Sequence, residues 1–234
     1  MFHTFAKNAT EAGKWFTPWA FNFNGTPHTI DYRDDTNFVR EVPAQFELVQ
    51  KAYEQYLWSG DERYINDPDM FNFYTKVMTD FITLHDTNHN GVAEGTGGGI
   101  FQGACSYNER GGEPMIEAGD SIGSQYQATL AYAGILEARG DKTGAASWYQ
   151  KAADLKKYFN ETWSVYDNDP NGLYARGLDK DNTKKYTGFG GENSWFMPMK
   201  LITEPGERND KYIDYVLENL GDGIDSVSTA PHNI

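Results

Sequence analysis

An internal repeat of about 80 residues constrains the fold of this chain more than any other feature. The pair Gly60-Asp61 recurs as Gly140-Asp141, and the segment 86–91, rich in Asp, Asn and Gly, recurs as 167–172. Each Gly-Asp pair lies between two stretches whose apolar residues have helical spacing, so the repeating unit is a helical hairpin. One hairpin cannot bury its own apolar face, and several must therefore stack side by side or close into a ring.

Apolar spacing also predicts which residues of each helix face the core. In the first hairpin two sets share one helical spacing: Phe46, Val49, Tyr53, Tyr56 and Leu57, then Phe71, Tyr74, Met78, Phe81 and Ile82. The second hairpin combines an Ala/Gly-rich helix over 121–138, which another helix can approach closely, with Trp148, Ala152, Leu155 and Phe159. A third hairpin is predicted from a helix over 194–201 and from Ile213, Val216, Leu217 and Leu220.

Composition narrows the class of protein. Hydrophobic residues make up 39% of the 234 residues and aromatic residues 15%, which excludes a generally disordered chain. The net charge of −14 argues against nucleic acid as a partner. No apolar run is long enough to span a membrane, residues 1–7 do not resemble a signal peptide, and the single Cys105 excludes an intrachain disulfide. Cellular location and oligomeric state stay open, and we expect one domain over 1–234.

Two carboxylic acids, Glu117 and Asp120, lie just before and at the start of the small-residue helix. Cleavage of a glycosidic bond needs one carboxyl group that stays protonated near neutral pH and a second that is ionised. These residues are therefore the candidate catalytic pair. The alternative is that Asp120 caps the helix and Glu117 is solvated.

The segment 117–126, Glu-Ala-Gly-Asp-Ser-Ile-Gly-Ser-Gln-Tyr, resembles the Glu-Ser-Gly-(Trp or Met)-Asp-x-Ser segment of the six-hairpin, (α/α)6-barrel glycosidases, particularly the trehalases and the processing α-glucosidases. The resemblance implies an all-α toroid of hairpins in which Asp120 is the general acid. Because one residue is missing between Gly119 and Asp120, two roles stay open for Glu117, which either positions Asp120 or serves as the acid in its place.

The same resemblance implies that a second catalytic carboxylate comes from a later hairpin and that the reaction inverts the sugar configuration. A complete six-hairpin barrel needs more than 234 residues, so the chain is expected to be part of a barrel, incomplete at its C-terminal side.

Several segments could bind an oligosaccharide or glycoside substrate. The predicted substrate-binding residues are Trp19, Arg33, Asp34, Gln125, Glu192 and Trp195. The Arg33-Asp34 pair resembles the Arg-Asp segment in the cleft of such barrels and could hold sugar hydroxyls, although a surface ion pair is equally consistent with the sequence. The Trp residues could stack on a sugar ring or fill the core. Since Arg33, Asp120 and Glu192 each precede the first helix of a hairpin, a ring of hairpins would bring them to one end.

No cofactor is predicted, and calcium is the one ion with a partial motif. Asp86-x-Asn88-x-Asn90-Gly91 matches the first half of an EF-hand loop, but Gly97 stands where the loop needs Glu. Asx turns explain the same residues without a metal. The chain contains no H-E-x-x-H zinc motif.

Two other functions are consistent with helical hairpins. The first is a helical-repeat binding module with a concave face, although the repeat is longer than the 33–47 residues typical of such modules. The second is a sugar lyase or epimerase on the same scaffold, for which His28 or Tyr126 would be the acid/base group.

Overall fold

The structure is a computed structural model that describes residues 2–11, 20–24, 26–29, 41–96, 104–106, 115–166, 172–181, 183 and 195–221. This part of the chain is mostly helical and has few strands, as an all-α protein requires. Its α-helices are α1 (Phe2–Glu11), α2 (Val42–Ser59), α3 (Arg63–Asn66), α4 (Pro68–Lys76), α5 (Ile82–Leu84), α6 (Gly119–Ala138), α7 (Lys142–Tyr158) and α8 (Glu207–Gly221). Its strands are β1 (Ala20–Phe21), β2 (Pro27–Thr29), β3 (Met115–Ala118) and β4 (Gly177–Asp179).

The first hairpin consists of α2 and α4, which contribute to one apolar cluster. Helix α2 ends at Gly60, whose φ of 66° is left-handed and whose N–H donates to the carbonyl of Tyr56. After the short α3, the Asp67 carboxylate accepts from the N–H groups of Asp69 and Met70 and so caps α4, where Pro68 suits the first turn. The predicted Gly-Asp turn thus contains one additional helical turn.

The second hairpin pairs α6 with α7. The connection contains Gly140, with φ of 89°, and Asp141, whose carboxylate accepts from the N–H of Gly144 at 2.9 Å. Helix α6 packs against both α2 and α7, and nearly all of its residues are buried. A Cβ atom on Gly134 would lie 2.5 Å from the Tyr53 hydroxyl oxygen, so the small residues of α6 do allow the close approach that the sequence predicts.

The repeat is present in the backbone as well as in the sequence. The second helix of each hairpin continues into a π-helical turn, Val77–Phe81 in the first and Phe159–Trp163 in the second. The loops that follow contain left-handed glycines at Gly91 and Gly172. Each loop is closed by one backbone bond to the residue that ends the helix, Glu94 N–H to His85 at 2.7 Å and Ala175 N–H to Ser164 at 2.8 Å.

Two short antiparallel ladders complete the described elements, β1 with β2 and β3 with β4. Strand β3 runs directly into α6, and Ala118 lies opposite Gly177 of β4. The N–H of Gly119 also donates to the carbonyl of Arg176 at 2.9 Å. The start of α6 is therefore attached to the segment that follows the second hairpin.

The buried apolar residues form two large clusters, which both include residues of α6, and a small third cluster of Cys105, Met115 and Ala118. The first cluster joins α6 to α1, α2 and α4, and the second joins it to α7, β4 and α8. In the part of the chain that the structure describes, no helix combines the length and apolar character needed to cross a membrane.

The third hairpin differs from its prediction. In place of a helix over 194–201, the described residues 195–201 contain a 3-10 turn at Pro198–Lys200, which packs on α6 and forms an ion pair from Lys200 to Glu47 of α2. In α8 the predicted Val216 is buried, together with Tyr212, whereas the predicted Ile213 and Leu217 are exposed. Both residue sets have i, i+4 spacing, so the spacing alone could not choose between them.

The predicted core face of α2 is also wrong at its last position. Phe46 and Val49 are fully buried and Tyr53 and Tyr56 are half-buried, but Leu57 is 61% exposed. Leu57 lies in the final turn of the helix, beside the exposed Trp58. The helical period therefore continues past the region in which α2 is covered by its neighbours.

Candidate functional site

The two candidate acids lie at the junction where β3 becomes α6. Helix α6 begins at Gly119, and its N-cap residue is Ala118, which makes no side-chain cap. Asp120 is thus a first-turn residue, and the helix-cap alternative for it is wrong. The side chains of both Glu117 and Asp120 are fully buried, at 0% exposure, so the solvated alternative for Glu117 is also wrong.

The Glu117 carboxyl group is held by three neutral donors. Asn88 Nδ2 and Asn90 Nδ2 donate to its Oε1 at 2.6 and 2.8 Å, and Trp163 Nε1 donates to its Oε2 at 2.6 Å. Burial raises the pKa of Glu117 above its ordinary value, and the charge of Glu94 acts in the same direction. The three donors act in the opposite direction, because they favour the ionised form.

Asp120 is held from a different side. Ser106 Oγ donates to its Oδ2 at 2.9 Å. The neighbouring residues 104–106 are fixed in turn, since the Cys105 carbonyl accepts from the Ser121 hydroxyl and the Ala104 carbonyl accepts from the Val42 N–H at 2.7 Å. The described segment 104–106 therefore lies along the start of α6 and connects it with the start of α2.

The loop after the first hairpin directs its side-chain oxygens at its own backbone. Asp86 Oδ1 accepts from Asn90 N–H at 2.9 Å, and Asn88 Oδ1 accepts from the same N–H at 3.0 Å. Asn90 Oδ1 accepts from Val92 N–H at 2.8 Å. The Asx turns, which are the alternative stated for this motif, are thus present in the loop, and calcium binding there stays a prediction.

A second group of potential metal ligands lies on the surface. His3 Nε2 lies 3.5 Å from Asp67 Oδ2 and 3.3 Å from Asp69 Oδ2, and the His3 side chain is 53% exposed. The other oxygen of Asp67 caps α4. When His3 is protonated, this cluster holds α1 against the start of α4, which explains the arrangement without a metal.

Of the predicted sugar-binding residues, Gln125 and Trp195 are described. Gln125 binds backbone with both ends of its amide, accepting from Ala93 N–H at 2.9 Å and donating to the Gly91 carbonyl at 2.6 Å, so it holds the Asx loop. Trp195 is 8% exposed and packs edge-on against Phe196 in the second apolar cluster.

The other predicted site residues cannot be compared with the structure. Trp19, Arg33, Asp34 and Glu192 lie outside the described residues, as does the side chain of His28. Their convergence with Asp120 at one end of the hairpins therefore stays a prediction. Tyr126 is nearly buried, and burial raises the pKa of its hydroxyl.

Sequence reasoning missed four residues of this site: Ser106, Asn88, Asn90 and Trp163. The sequence predicts the two Asn residues only as turn formers or calcium ligands, and it does not single out Trp163. The position of Trp163 at the end of the second hairpin was visible from the repeat. Its contact with Glu117, 46 residues away, had no local signal in the sequence.

A groove of about 590 Å³ lies between the second helices of the two hairpins. Its lining residues include Met78 and Ile82 of the first hairpin, Trp148 and Leu155 of the second, and Asn90. Asn90 thus connects this groove with the carboxyl group of Glu117.

Comparisons with family models, curated proteins and solved structures give no match to this chain. The class that the structure defines is therefore a mostly helical protein built from α-helical hairpins. Because a fold does not by itself imply a function, the function has to be argued from the buried carboxyl groups.

Proposed function

We propose that this protein is a glycoside hydrolase whose hairpins form part of an α/α toroid and whose general acid is Asp120. The observation that carries the proposal is the pair of carboxyl groups, Glu117 and Asp120, buried in one strand-to-helix junction of the segment that resembles the catalytic segment of six-hairpin glycosidases. The packing of α6 between α2 and α7 supports the side-by-side arrangement of hairpins.

In the proposed reaction Asp120 donates its proton to the glycosidic oxygen as the bond to the sugar breaks. Water attacks the sugar carbon from the opposite face, activated by a second carboxylate about 6.5–9.5 Å from the first. Ser106 fixes the orientation of the Asp120 carboxyl group by donating to Oδ2. The predicted residues Arg33, Asp34 and Glu192 would bind the sugar hydroxyls.

Leaving-group dependence tests this role. Asp120→Asn should lower kcat/KM for trehalose or maltose by about 10²–10⁴-fold, since no group then protonates the departing sugar. Hydrolysis of α-D-glucosyl fluoride should fall far less, because fluoride departs without a proton. Asp214→Asn, on the exposed face of α8, is the matched control and should keep both activities. Equal losses on both substrates, or no hydrolysis of these glucosides by the wild-type chain, would contradict the proposal.

The groove favours one alternative, a helical-repeat binding module. Its apolar walls and its volume of about 590 Å³ are in the range of ligand sites. Trp148→Ala would weaken ligand binding in such a module, whereas Asp120→Asn would leave it unchanged. A lyase or epimerase on this scaffold remains a third hypothesis, and Tyr126→Phe would test it.

A further inference from the structure

We propose that Glu117 is a positioning residue that acts through Asp120, and that Asn88, Asn90 and Trp163 hold it in place for this role. This inference rests on the proposed function, in which Asp120 is the acid. It assigns a role to Glu117, the second carboxyl group of the pair. It also adds to the site three residues that the sequence did not indicate.

The hydrogen bonds of Glu117 fit an ionised group and do not fit a proton donor. Its two oxygens together accept three hydrogen bonds of 2.6–2.8 Å, the short range expected for bonds to a carboxylate. All three donors are amide or indole N–H groups, which cannot accept a proton in return. A proton on Glu117 would weaken these bonds and would need an acceptor of its own, which none of the three donors supplies, and the full burial of the side chain keeps water from supplying one.

The three donors come from different parts of the fold. Asn88 and Asn90 belong to the loop that closes the first hairpin, and Trp163 ends the second hairpin. Glu117 itself lies in β3, directly before α6. The carboxyl group of Glu117 therefore fixes the junction of β3 and α6 only when both hairpins are docked against it. Asp120 follows Glu117 by three residues in this junction, so the same contacts fix the position of Asp120.

The π-helical turn explains how Trp163 reaches the site. An extra residue in a helix rotates everything after it by about 100° relative to an uninterrupted α-helix. In the second hairpin this turn ends at Trp163, whose indole N–H donates to Glu117 at 2.6 Å while its ring stacks on Phe159 at 5.5 Å. The ring of Trp163 is thus held by its packing on Phe159, while its N–H group donates to Glu117.

The test uses Trp163→Phe, which keeps an aromatic ring and removes the N–H donor. With trehalose or maltose, kcat should fall on the order of 10–100-fold at an unchanged KM, since small displacements of a reacting group have effects of this size. Trp163→Phe should have no further effect in the Asp120→Asn background, because a residue that acts through Asp120 has nothing to position there. Trp58→Phe, at the exposed end of helix α2, is the matched control and should keep the wild-type kcat.

An NMR measurement follows the contact independently of activity. The indole N–H resonance that disappears in Trp163→Phe should be shifted downfield in the wild type, protected from solvent exchange, and moved by Glu117→Asp. If Trp163→Phe does not fold, Asn88→Ala removes another donor and is measured in the same way. A Trp163 resonance that does not respond to Glu117→Asp would contradict the contact.

The outcomes separate this inference from the proposed function. If Asp120→Asn keeps wild-type turnover, the proposed function fails, whatever the indole resonance shows. If Asp120→Asn is inactive and Trp163→Phe keeps its kcat, or if the two losses multiply in the double variant, the positioning role is wrong and the proposed acid stands.

Discussion

The two hairpins share a backbone plan and use it differently. Both have a left-handed glycine turn, a π-helical turn and a second left-handed glycine after it, in the same order. In the first hairpin the π-helical turn ends at Phe81, which packs against Phe46 and His85 in the core. In the second it ends at Trp163, which binds Glu117. The repeat therefore sets the backbone geometry, and the side chain at each equivalent position decides between core packing and a polar site.

The largest expected effect comes from removing the group that joins the hairpins. Glu117→Leu leaves the donors of Asn88, Asn90 and Trp163 without their buried acceptor, so the free energy of unfolding should fall by about 3 kcal/mol or more. Urea denaturation measures this value. Glu137→Leu, near the other end of α6, is the control, since that carboxylate is exposed and accepts from the Tyr149 hydroxyl; it should change stability by about 0.5 kcal/mol or less. A similar small loss for Glu117→Leu would mean that the two hairpins are not joined through it.

The close approach of α2 and α6 gives the next largest effect. Gly134→Ala places a methyl group against the Tyr53 ring and should lower the free energy of unfolding by about 1–3 kcal/mol. In the Tyr53→Ala background the same change should be neutral or stabilising, because alanine favours a helix over glycine by about 1 kcal/mol. Thermal unfolding of the four variants in this cycle measures the coupling. Equal effects in both backgrounds would place the two helices further apart than the structure does.

The turn glycines test whether the repeats are equivalent. Gly60 and Gly140 both have positive φ, and a Cβ atom on either would meet nothing within 4 Å. The effect of Gly→Ala is then a backbone effect alone, about 1–2 kcal/mol at each position and similar in size at the two. Gly60→Asn and Gly140→Asn should be milder, since Asn tolerates this conformation. A large difference between the two turns in thermal unfolding would break the equivalence.

The smallest expected effect is a pH dependence of the free energy of unfolding that arises from His85 in the first hairpin. Burial lowers the pKa of His85 below its ordinary value, and Ser164 occupies the equivalent position in the second hairpin. Below pH of about 6.5 the unfolded chain therefore binds a proton before the folded protein does, and stability decreases as the pH falls. Glu117 contributes to this pH dependence with the opposite sign. Because burial raises its pKa, the folded protein binds that proton before the unfolded chain does, and this contribution to stability increases as the pH falls.

Comparison with a variant isolates the contribution of His85. In His85→Asn the free energy of unfolding should lose this decrease between pH 7 and 5, measured by urea denaturation at each pH. His89→Asn is the control, because His89 is exposed and its φ of 60° suits Asn. Hydrogen exchange should show acid-induced opening in the first hairpin and none from this cause in the second. A wild-type decrease that persists in His85→Asn would assign it to another group.

Much of the fold could be predicted from the spacing of particular residues. The core positions Phe46, Val49, Met78 and Phe159 are buried as predicted, because helical periodicity is a local property of the chain. The predicted core positions were wrong where a helix extends beyond the helices that cover it, as at Leu57. They were also wrong where two faces of one helix have the same apolar spacing, as in α8. The predicted acids are buried at one junction, whereas the residues that hold them came only from the structure.

The amino-acid sequence by itself determined the repeat, the glycine turns and the position of the two carboxyl groups beside the buried helix. These features depend on spacing and on the backbone preferences of single residues, which neighbouring residues specify. Only the tertiary structure decided that Glu117 meets Asn88, Asn90 and Trp163, and that Asp120 meets Ser106. Such contacts join segments that are distant in the chain, and they exist only after the hairpins pack together and exclude water from the groups between them.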